Sequence, residues 1–453
     1  MSNQIPQVPR IKTILNIFKF INNPIPLINE TIEEMGTQTY RVHLGGINRS
    51  IMTQDPEIIQ HVLQKNHKNY YKSKLQTKSL AKYSGYGLLT TDGDYWLKQR
   101  RLIQPGFHKK KLKSLVASMD QVIKDHVENI KKDIQTGNTE IELTKDMVNL
   151  TLKIVSTSLF GSAITEEDLS IIGDAVITVQ IAVIKDVRQP FFKWWRALNG
   201  EEKTYDKAIE SSKTLLNKLI DDRRKSTEEF DDLLDMLLNS KYEDTGESMT
   251  NKQILAEILI IFAAGHETTA NALTWSLYLL DKHPELKERL LREIDSIDIP
   301  ENPGFEHIAQ LTYTRQVISE AMRLYPPAWI TDRVALEDDE VNGVKIEKGE
   351  LVGIYIYGVH HSKALWENPE KFDPDRFSAE NKKNIATYAY FPFGGGPRLC
   401  IGQQFAWTEM ILAMYHLLKS FDFEVDENQQ IDVEPLITLR PKYGMKVDVS
   451  IRN

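Results

Sequence analysis

The single cysteine of the chain, Cys400, stands in the run Phe393-Gly394-Gly395-Gly396-Pro397-Arg398-Leu399-Cys400-Ile401-Gly402. Glycines there let backbone approach a bound object closely and take positive φ. A helical pattern follows, through Gln403, Phe405, Ala406, Ile411, Leu412 and Tyr415. A sulfur just ahead of a helix N-terminus faces unpaired N–H groups and the positive end of the helix dipole. Those groups favour thiolate over thiol, and the thiolate is the form that binds a metal. A lone cysteine is more often a small buried hydrophobe. A glycine-rich run with Pro and Arg at fixed offsets points to the metal instead.

Three more groupings could do chemistry or support it. The apolar stretch 254–280 carries Ala263-Ala264-Gly265-His266-Glu267-Thr268-Thr269 at its centre. An acid and paired threonines inside a buried helix break the local rule, and such violations mark function. Trp96 and Arg100 stand four apart on one face of a helical segment. Arginine suits carboxylates through its charge and planar fork. Glu320 and Arg323, three apart on a helix stopped by Pro326-Pro327, can pair.

Together these motifs resemble the cytochrome P450 monooxygenases, in that family's order and over nearly the whole chain. The soluble bacterial-type members are the nearer match, and the motifs around Glu267 and Cys400 resemble the fatty-acid-hydroxylase-like branch. The resemblance implies a single domain over 1–453, mainly α with small β-sheets, and haem between a long central helix and the cysteine loop. Cys400 would be the proximal ligand of haem iron, with Phe393 and Gly402 in the same loop. Trp96, Arg100, Arg333 and Arg398 would hold the haem propionates. Thr268 would hydrogen-bond bound oxygen and an ordered water, and Glu267 would relay protons from solvent, a general-acid role. The helix is expected to be distorted there, leaving room for dioxygen. His266 occupies a variable position of the motif and is assigned no catalytic role. Glu320, Arg323 and Arg376, the last from Phe372-Asp373-Pro374-Asp375-Arg376-Phe377, would form a buried charge network behind the loop. Asp375 stands where the family often has Glu.

By family position the substrate would touch Tyr86, Leu88 and Leu89, then Phe262, Ala263 and Ala264, then Ala328, Trp329 and Ile330, and finally Ile437. Most of these are apolar, so a hydrophobic small molecule is expected. Tyr86, Thr331 and the run Lys185-Asp186-Val187-Arg188-Gln189 allow a more polar alternative: a methyl ether of a sugar or phenol, demethylated with loss of formaldehyde. A peroxygenase or isomerase that needs no electron donor, or a non-catalytic haem protein, is the further alternative. The intact Glu267-Thr268 pair argues against the peroxygenase.

The implied cofactor is haem b, with dioxygen as co-substrate. No flavin or ferredoxin domain follows Asn453, so NAD(P)H would act indirectly, through a separate ferredoxin or flavodoxin and its reductase. The basic run His108-Lys109-Lys110-Lys111-Leu112-Lys113 could steer such an acidic partner.

Bulk properties set the bounds. In 453 residues, 41% are hydrophobic and 26% charged, ordinary for a globular protein that can bury a large core. One cysteine excludes an intrachain disulfide and disfavours structural zinc. Net charge is −8, whereas nucleic-acid binders are more often basic. No secretory signal is read at the start. Ile14 to Ile21 is too short and too polar to span a bilayer. A cytoplasmic monomer without a membrane anchor is expected.

The positioning elements follow from pattern. A proline-containing arm and a first helix end near Gly36. Residues 40–44 and 50–53 alternate as a hairpin about Gly45-Gly46. Asp55 caps a helix with Pro56 at its first position. Residues 114–240 are dominated by helical periodicity, and the aromatic run Phe191-Phe192-Lys193-Trp194-Trp195 is expected near lid helices, in core, or against a membrane. Strands are expected at 344–346, 351–356, 421–425 and 445–451.

Overall fold

The computed structural model describes residues 5–44, 48–189, 192–228 and 230–452. The Gly45-Gly46 turn, Phe191 and the side chains of Lys109 and Lys110 lie outside the described residues. Three helices form the arm, α1 (Arg10–Leu15), α2 (Ile17–Asn22) and α3 (Pro24–Met35). The last ends on Gly36, which takes φ 59° as the left-handed cap. Strands β1 (Thr39–Leu44) and β2 (Asn48–Thr53) pair antiparallel, with Thr39 opposite Thr53. Asp55 caps α4 (Pro56–Gln60) through Oδ1, which accepts from the backbone of Glu57 at 2.8 Å and of Ile58 at 3.3 Å. A π-helical turn, His61–Lys65, continues it.

After β3 (Tyr70–Tyr71) come α5 (Ala81–Ser84), α6 (Gly93–Ile103) and α7 (Lys109–Gln135). Beyond β4 (Glu140–Glu142) lie α8 (Leu143–Phe160), α9 (Glu166–Arg188), α10 (Lys193–Leu198), α11 (Glu201–Lys225) and α12 (Leu233–Asn239). Then follow α13 (Asn251–Asp281), α14 (Pro284–Ser296), α15 (Phe305–Ile308) and α16 (Thr312–Leu324). The strands β5 (Thr331–Ala335), β6 (Asp339–Val341), β7 (Val344–Ile346) and β8 (Leu351–Ile354) precede α17 (Ile356–His360) and α18 (Gln403–Ser420). Four strands close the chain, β9 (Phe421–Val425), β10 (Val433–Pro435), β11 (Leu439–Pro441) and β12 (Lys446–Ile451). Helix dominates and the sheets are small, as the pattern implied. The strand expected over 351–356 stops at Ile354, and Ile356 opens a helix instead.

The largest sheet runs β1-β2-β8-β5-β3, and β5 pairs antiparallel with β8 so that Arg333 faces Val352. The core centres on α13. A capping box starts it: Gln253 N–H donates to Thr250 Oγ1 at 3.3 Å, and Thr250 N–H donates to Gln253 Oε1 at 2.9 Å. Its apolar faces pack most extensively on α8, and also on α16 and α18. Ile254, Ile258, Phe262 and Leu273 share one buried cluster with Leu150, Ile154 and Leu159 of α8. Each such burial is worth about 1.5–3 kcal/mol. Close approach has a cause at Gly265, where a Cβ would lie 3.2 Å from Val155 of α8. Among the described residues no helix is long and apolar enough to cross a membrane.

Candidate active site

The cysteine loop is fixed from two sides. On one, Gly396 takes φ 63°, and a Cβ there would lie 1.9 Å from the Leu63 carbonyl oxygen. Only glycine fits where the loop meets the π-helical turn. On the other, Arg323 and Glu320 are fully buried on α16 and paired through two hydrogen bonds of 2.7 and 2.8 Å. Arg376 reaches Glu320 at 3.3 Å, and the Asp373 backbone donates to it at 3.0 Å. Arg323 also donates to the His360 carbonyl at 2.7 Å, and the His360 ring accepts from Phe391 N–H at 3.2 Å. A continuous chain of polar contacts thus runs from the charge network to the start of the loop. There the Cys400 N–H closes onto the Phe393 carbonyl at 2.9 Å. The Phe393 ring lies 5.8 Å from Trp407 of α18.

Cys400 has accessible surface although it sits deep in the fold. Burial raises its thiol pKa; the Gly402 N–H and the Arg100 guanidinium act in the opposite direction. A bound metal cation would overcome that burial and leave the sulfur as thiolate. Arg100 itself is anchored to the loop, donating to the Leu399 carbonyl at 2.9 Å.

Cations gather beside this loop. The Arg398 guanidinium stacks 4.4 Å over Trp96 and pairs with Asp92. Arg333 is buried on β5, donating to the Asp332 carbonyl at 2.6 Å. Burial, then the nearby Arg398, lowers its pKa to about 10. Lys72, absent from the sequence expectations, joins them. It donates to the carbonyls of Leu88 and Thr91, both at 2.8 Å, with Trp96 5.9 Å away. Burial, then Arg398, lowers its pKa to about 7. No spacing pattern signalled Lys72, because its partners lie 16 and 19 residues on. The three cations lie around Asp92, with Glu257 also near Lys72 and Asp332 near Arg333, and Arg398 Nη1 is buried without a hydrogen-bond partner. An unpartnered buried guanidinium N–H within such a cluster of cations suits a ligand carrying carboxylates.

Facing this is α13. Thr268 donates to the Ala264 carbonyl at 2.7 Å, and Thr269 to the Gly265 carbonyl at 2.9 Å. Thr151 of α8 donates to the His266 carbonyl at 2.9 Å. The helix is continuous from Asn251 to Asp281, so the expected distortion does not break it. Hydroxyls satisfy the carbonyls at the motif instead. Ala264 is exposed and Thr268 half-buried in a helix otherwise packed away, so the helix presents one accessible face at this point. Glu267 is buried and turned towards α9, where Gln180 donates to its carboxylate. No hydrogen bond joins Glu267 to Thr268 among the described residues. Gln180 was missed in sequence; its signal was an amide among Val179, Ile181 and Ala182. His266 is buried, with Nδ1 2.6 Å from the Phe262 carbonyl, and burial lowers its pKa.

The accessible face of α13 is bordered by the loops expected to line a pocket. Glu257, two turns before Ala264, accepts from Leu88 N–H at 3.0 Å. Asn271 donates to Thr438 at 3.2 Å, which seats the turn bearing Ile437. Tyr86, Leu89 and Ile437 are exposed, and Ile330 is half-buried. Two expectations are corrected. Phe262 is fully buried, its ring 6.1 Å from Phe160 in a stacked pair. At 100° per residue it lies about 200° around the helix from Ala264. Trp329 is also buried, its indole N–H donating to the Leu436 carbonyl at 2.9 Å. The polar run is engaged elsewhere: Lys185 with Glu201, Asp186 with Arg196, and Arg188 with the Pro435 carbonyl.

A sulfur with accessible surface, a cationic cluster beside it and an accessible helix face with a hydroxyl form a donor set that fits haem. Thiolate suits the iron, and the cations suit two propionates.

Comparison with known proteins agrees. The chain is 31% identical over 441 residues to 11-oxo-beta-amyrin 30-oxidase of Glycyrrhiza uralensis, covering 93% of this chain and 82% of that protein. It is 32% identical over 419 residues to a cytokinin hydroxylase of Arabidopsis thaliana, covering 89% and 79%. With cyclooctat-9-en-7-ol 5-monooxygenase of Streptomyces melanosporofaciens it shares 30% over 367 residues, 81% and 78% of the two chains. The family described as Cytochrome P450 matches residues 6–448. With that match over almost its full length, the chain belongs to the cytochrome P450 family and is a haem-dependent monooxygenase that draws its electrons from a redox partner.

Proposed function

We propose that residues 1–453 form one haem b domain that hydroxylates a hydrophobic small molecule in the cytoplasm. Electrons would come from NAD(P)H through a separate ferredoxin or flavodoxin. The observation that carries the reading is the pairing of an accessible, deeply seated Cys400 with the cationic cluster of Lys72, Arg333 and Arg398. When bound, haem supplies dioxygen activation and insertion of one oxygen atom into a substrate C–H bond.

The chain's own residues do the rest. Cys400 holds the iron as thiolate, and the Gly402 N–H steadies the sulfur's charge. Trp96, Arg398, Arg333 and Lys72 hold the propionates, while Arg100 secures the loop at Leu399. Thr268 presents a hydroxyl on the accessible face of α13. Glu267 stands one residue away, its carboxylate oriented by Gln180, and relays protons towards the hydroxyl of Thr268. Tyr86, Leu89, Ala264, Ile330 and Ile437 offer apolar surface to the substrate. Phe262 and Trp329 support them from the core. By their names the relatives act on 11-oxo-beta-amyrin, a cytokinin and cyclooctat-9-en-7-ol. Those names describe an oxidase, a hydroxylase and a monooxygenase, which supports C–H oxidation over demethylation.

The test is the carbon monoxide spectrum of the reduced, haem-loaded protein. The far-red-shifted Soret band of a thiolate-bound haem is expected in the native chain and absent in Cys400→Ser. Its absence from well-folded native protein overturns the assignment. A screen for ligands that displace distal water, seen in the same Soret band, then ranks apolar compounds against methyl ethers. Formaldehyde release from a methyl ether would instead assign demethylation.

A further inference from the structure

Helix α6 carries Gln99 fully buried beside two tyrosines. Its amide nitrogen donates to the Tyr95 hydroxyl at 2.8 Å and to the Tyr242 hydroxyl at 3.0 Å. Gln253, in the first turn of α13, donates to the same two hydroxyls at 3.3 and 3.1 Å. Two amides and two hydroxyls therefore close a ring between α6, the start of α13 and the turn that carries Tyr242. That turn is pinned: the Tyr242 N–H donates to the Glu247 carbonyl at 2.9 Å, and the Tyr242 carbonyl accepts from the Gly246 N–H at 2.8 Å. Tyr95 is 39% exposed, so the ring reaches solvent on its side.

The ring leaves two donors and two acceptors over. Each amide nitrogen directs both its protons at the hydroxyls, and Gln253 Oε1 accepts from Thr250 in the capping box. Each hydroxyl accepts twice and keeps its own proton to give. Neither donates to another group among the described residues. Further in, Gln99 Oε1 and Glu257 Oε1 are both buried with no hydrogen-bond partner among the described residues. Turning the Gln99 amide over would let it accept from the hydroxyls, but would leave its N–H groups unpartnered in the same place. Glu257 stands one turn on from Gln253, about 6 Å along α13 and about 40° around it. Burial, then Tyr95, then Glu257 raises the Tyr242 pKa, so the carboxylate acts on that hydroxyl. The other Glu257 oxygen holds the Leu88 N–H at 3.0 Å, and Lys72 is the charge that faces it. Lys72 in turn faces Arg398, Asp92 and Arg333.

From this arrangement we infer that ordered water joins the tyrosine ring to Glu257, and that the string carries protons between solvent and the buried Glu257–Lys72 pair. A buried water makes about three hydrogen bonds to polar groups that nothing else satisfies. The Tyr242 hydroxyl, Gln99 Oε1 and Glu257 Oε1 supply one donor and two acceptors, which is that complement. The amides hold the hydroxyls in place, while hydroxyl and water pass the proton. In uptake, solvent gives a proton to the hydroxyl oxygen as the hydroxyl's own proton moves to the water. A proton of the water moves to Glu257 Oε1, and the carboxylate becomes the acid. Hydroxyl and water end as they began, and release runs in reverse. Glu257 and Lys72 grip Leu88 from opposite sides, so the route lets that grip answer to pH while α6 and α13 stay packed. The inference stands apart from the roles assigned at the haem site, Lys72 alone being common to both.

The test follows the haem-loaded full chain by infrared spectroscopy after a jump from about pH 8.5 to about pH 5.5, which brackets the Glu257 pKa of about 7. The part of the carboxyl carbonyl stretch that Glu257→Gln lacks reports the arrival of the proton. Gln99→Leu and Tyr242→Phe should each slow its appearance by about tenfold or more, with the native final amplitude. Tyr242→Phe keeps the shape of the ring and decides the matter should Gln99→Leu fail to fold. The carbon monoxide spectrum of each variant is the control for an intact haem site. A crystal structure of the haem-loaded chain should show water within hydrogen-bond distance of both Glu257 Oε1 and the Tyr242 hydroxyl. Proton arrival at the native rate in Tyr242→Phe overturns the route. So does a changed amplitude at the native rate, which would make Tyr242 a structural contact. Direct contact between Gln99 and Glu257 in the crystal, with no water between them, also overturns it.

Discussion

The Glu257 carboxylate accepts a hydrogen bond from the Leu88 N–H at 3.0 Å, and so fastens the loop of Tyr86, Leu88 and Leu89 to the central helix. Lys72 holds the carbonyl of that same Leu88 from the other side, at 2.8 Å. One peptide residue is thus gripped by a buried acid and a buried amine. Gly87 leaves no slack: a Cβ there would lie 2.9 Å from the Glu257 carboxyl carbon.

Stability should register this grip through pH. Burial raises the Glu257 pKa from 4.5 to about 7, opposed by the Leu88 N–H and by Lys72. Between those values the folded chain keeps a proton that the unfolded chain has lost. Stability therefore falls as pH rises from about 4.5 to about 7. Glu257→Gln keeps an acceptor for Leu88 but cannot titrate. Its stability relative to the native chain should rise by about 3 kcal/mol between pH 5 and pH 8, at 1.36 kcal/mol per pKa unit. Urea unfolding at the two pH values measures the gap, and parallel profiles would refute the role of Glu257.

The proton path is tested at Thr268 and Gln180. Thr268→Ala should keep haem and the carbon monoxide band, yet product formed per electron pair should fall by about tenfold or more, with hydrogen peroxide rising in step. Gln180→Leu removes the donor to Glu267, a buried carboxylate, and should cost about 1–3 kcal/mol of stability. It should also lower coupling without changing haem content. Peroxide assays with a reconstituted electron donor read both. Native coupling in Thr268→Ala would sink its assignment.

The sequence made some of this plain, for local reasons. The glycine-rich run before Cys400, the Asp55 cap and the Glu320–Arg323 spacing are short-range patterns, and each appears in the fold as a cap, a pair or a tight turn. The long apolar helix was equally legible. What escaped was direction and long-range pairing. Periodicity located Phe262 beside the motif but could not say which face of α13 carried it. Lys72 and Gln180 carry no local signal of their partners, because Glu267 lies 87 residues from Gln180. Glu257 was visible as a charge between Ala256 and Ile258, yet its partner Leu88 is 169 residues away.

Behind the cysteine loop, removing one member of the Glu320–Arg323–Arg376 network should be costly. Arg323→Met leaves Glu320 with its main partner gone in a site with no access to water. The expected loss is about 3–5 kcal/mol. Because Arg323 reaches the loop through His360 and Phe391, haem content on purification should fall as well. Arg376→Met should cost less, its contact with Glu320 being longer and its side chain partly exposed. Equal losses in the two variants would contradict this ordering.

Lys72 offers the sharpest check on the cationic cluster. Burial, then Arg398, holds its pKa near 7 before any carboxylate arrives. Two propionates beside it would favour the charged form and raise that pKa. Haem binding should then take up a proton at Lys72 when the pH is above about 7, so affinity should weaken as pH rises from there. Lys72→Met removes both the charge and its titration. Transfer of haem to an acceptor globin should become about tenfold or more faster at pH 7, since one hydrogen bond to a charged group is worth about 1.5–3 kcal/mol. The rise in transfer rate between pH 7 and pH 9 seen in the native chain should shrink in the variant. Lys72→Arg, which stays charged across that range, should transfer haem slowly at both pH values. If Lys72→Met released haem at the native rate with the native pH dependence, Lys72 would be a structural fastener of the Leu88 loop alone, and the propionates would have to be held by the arginines.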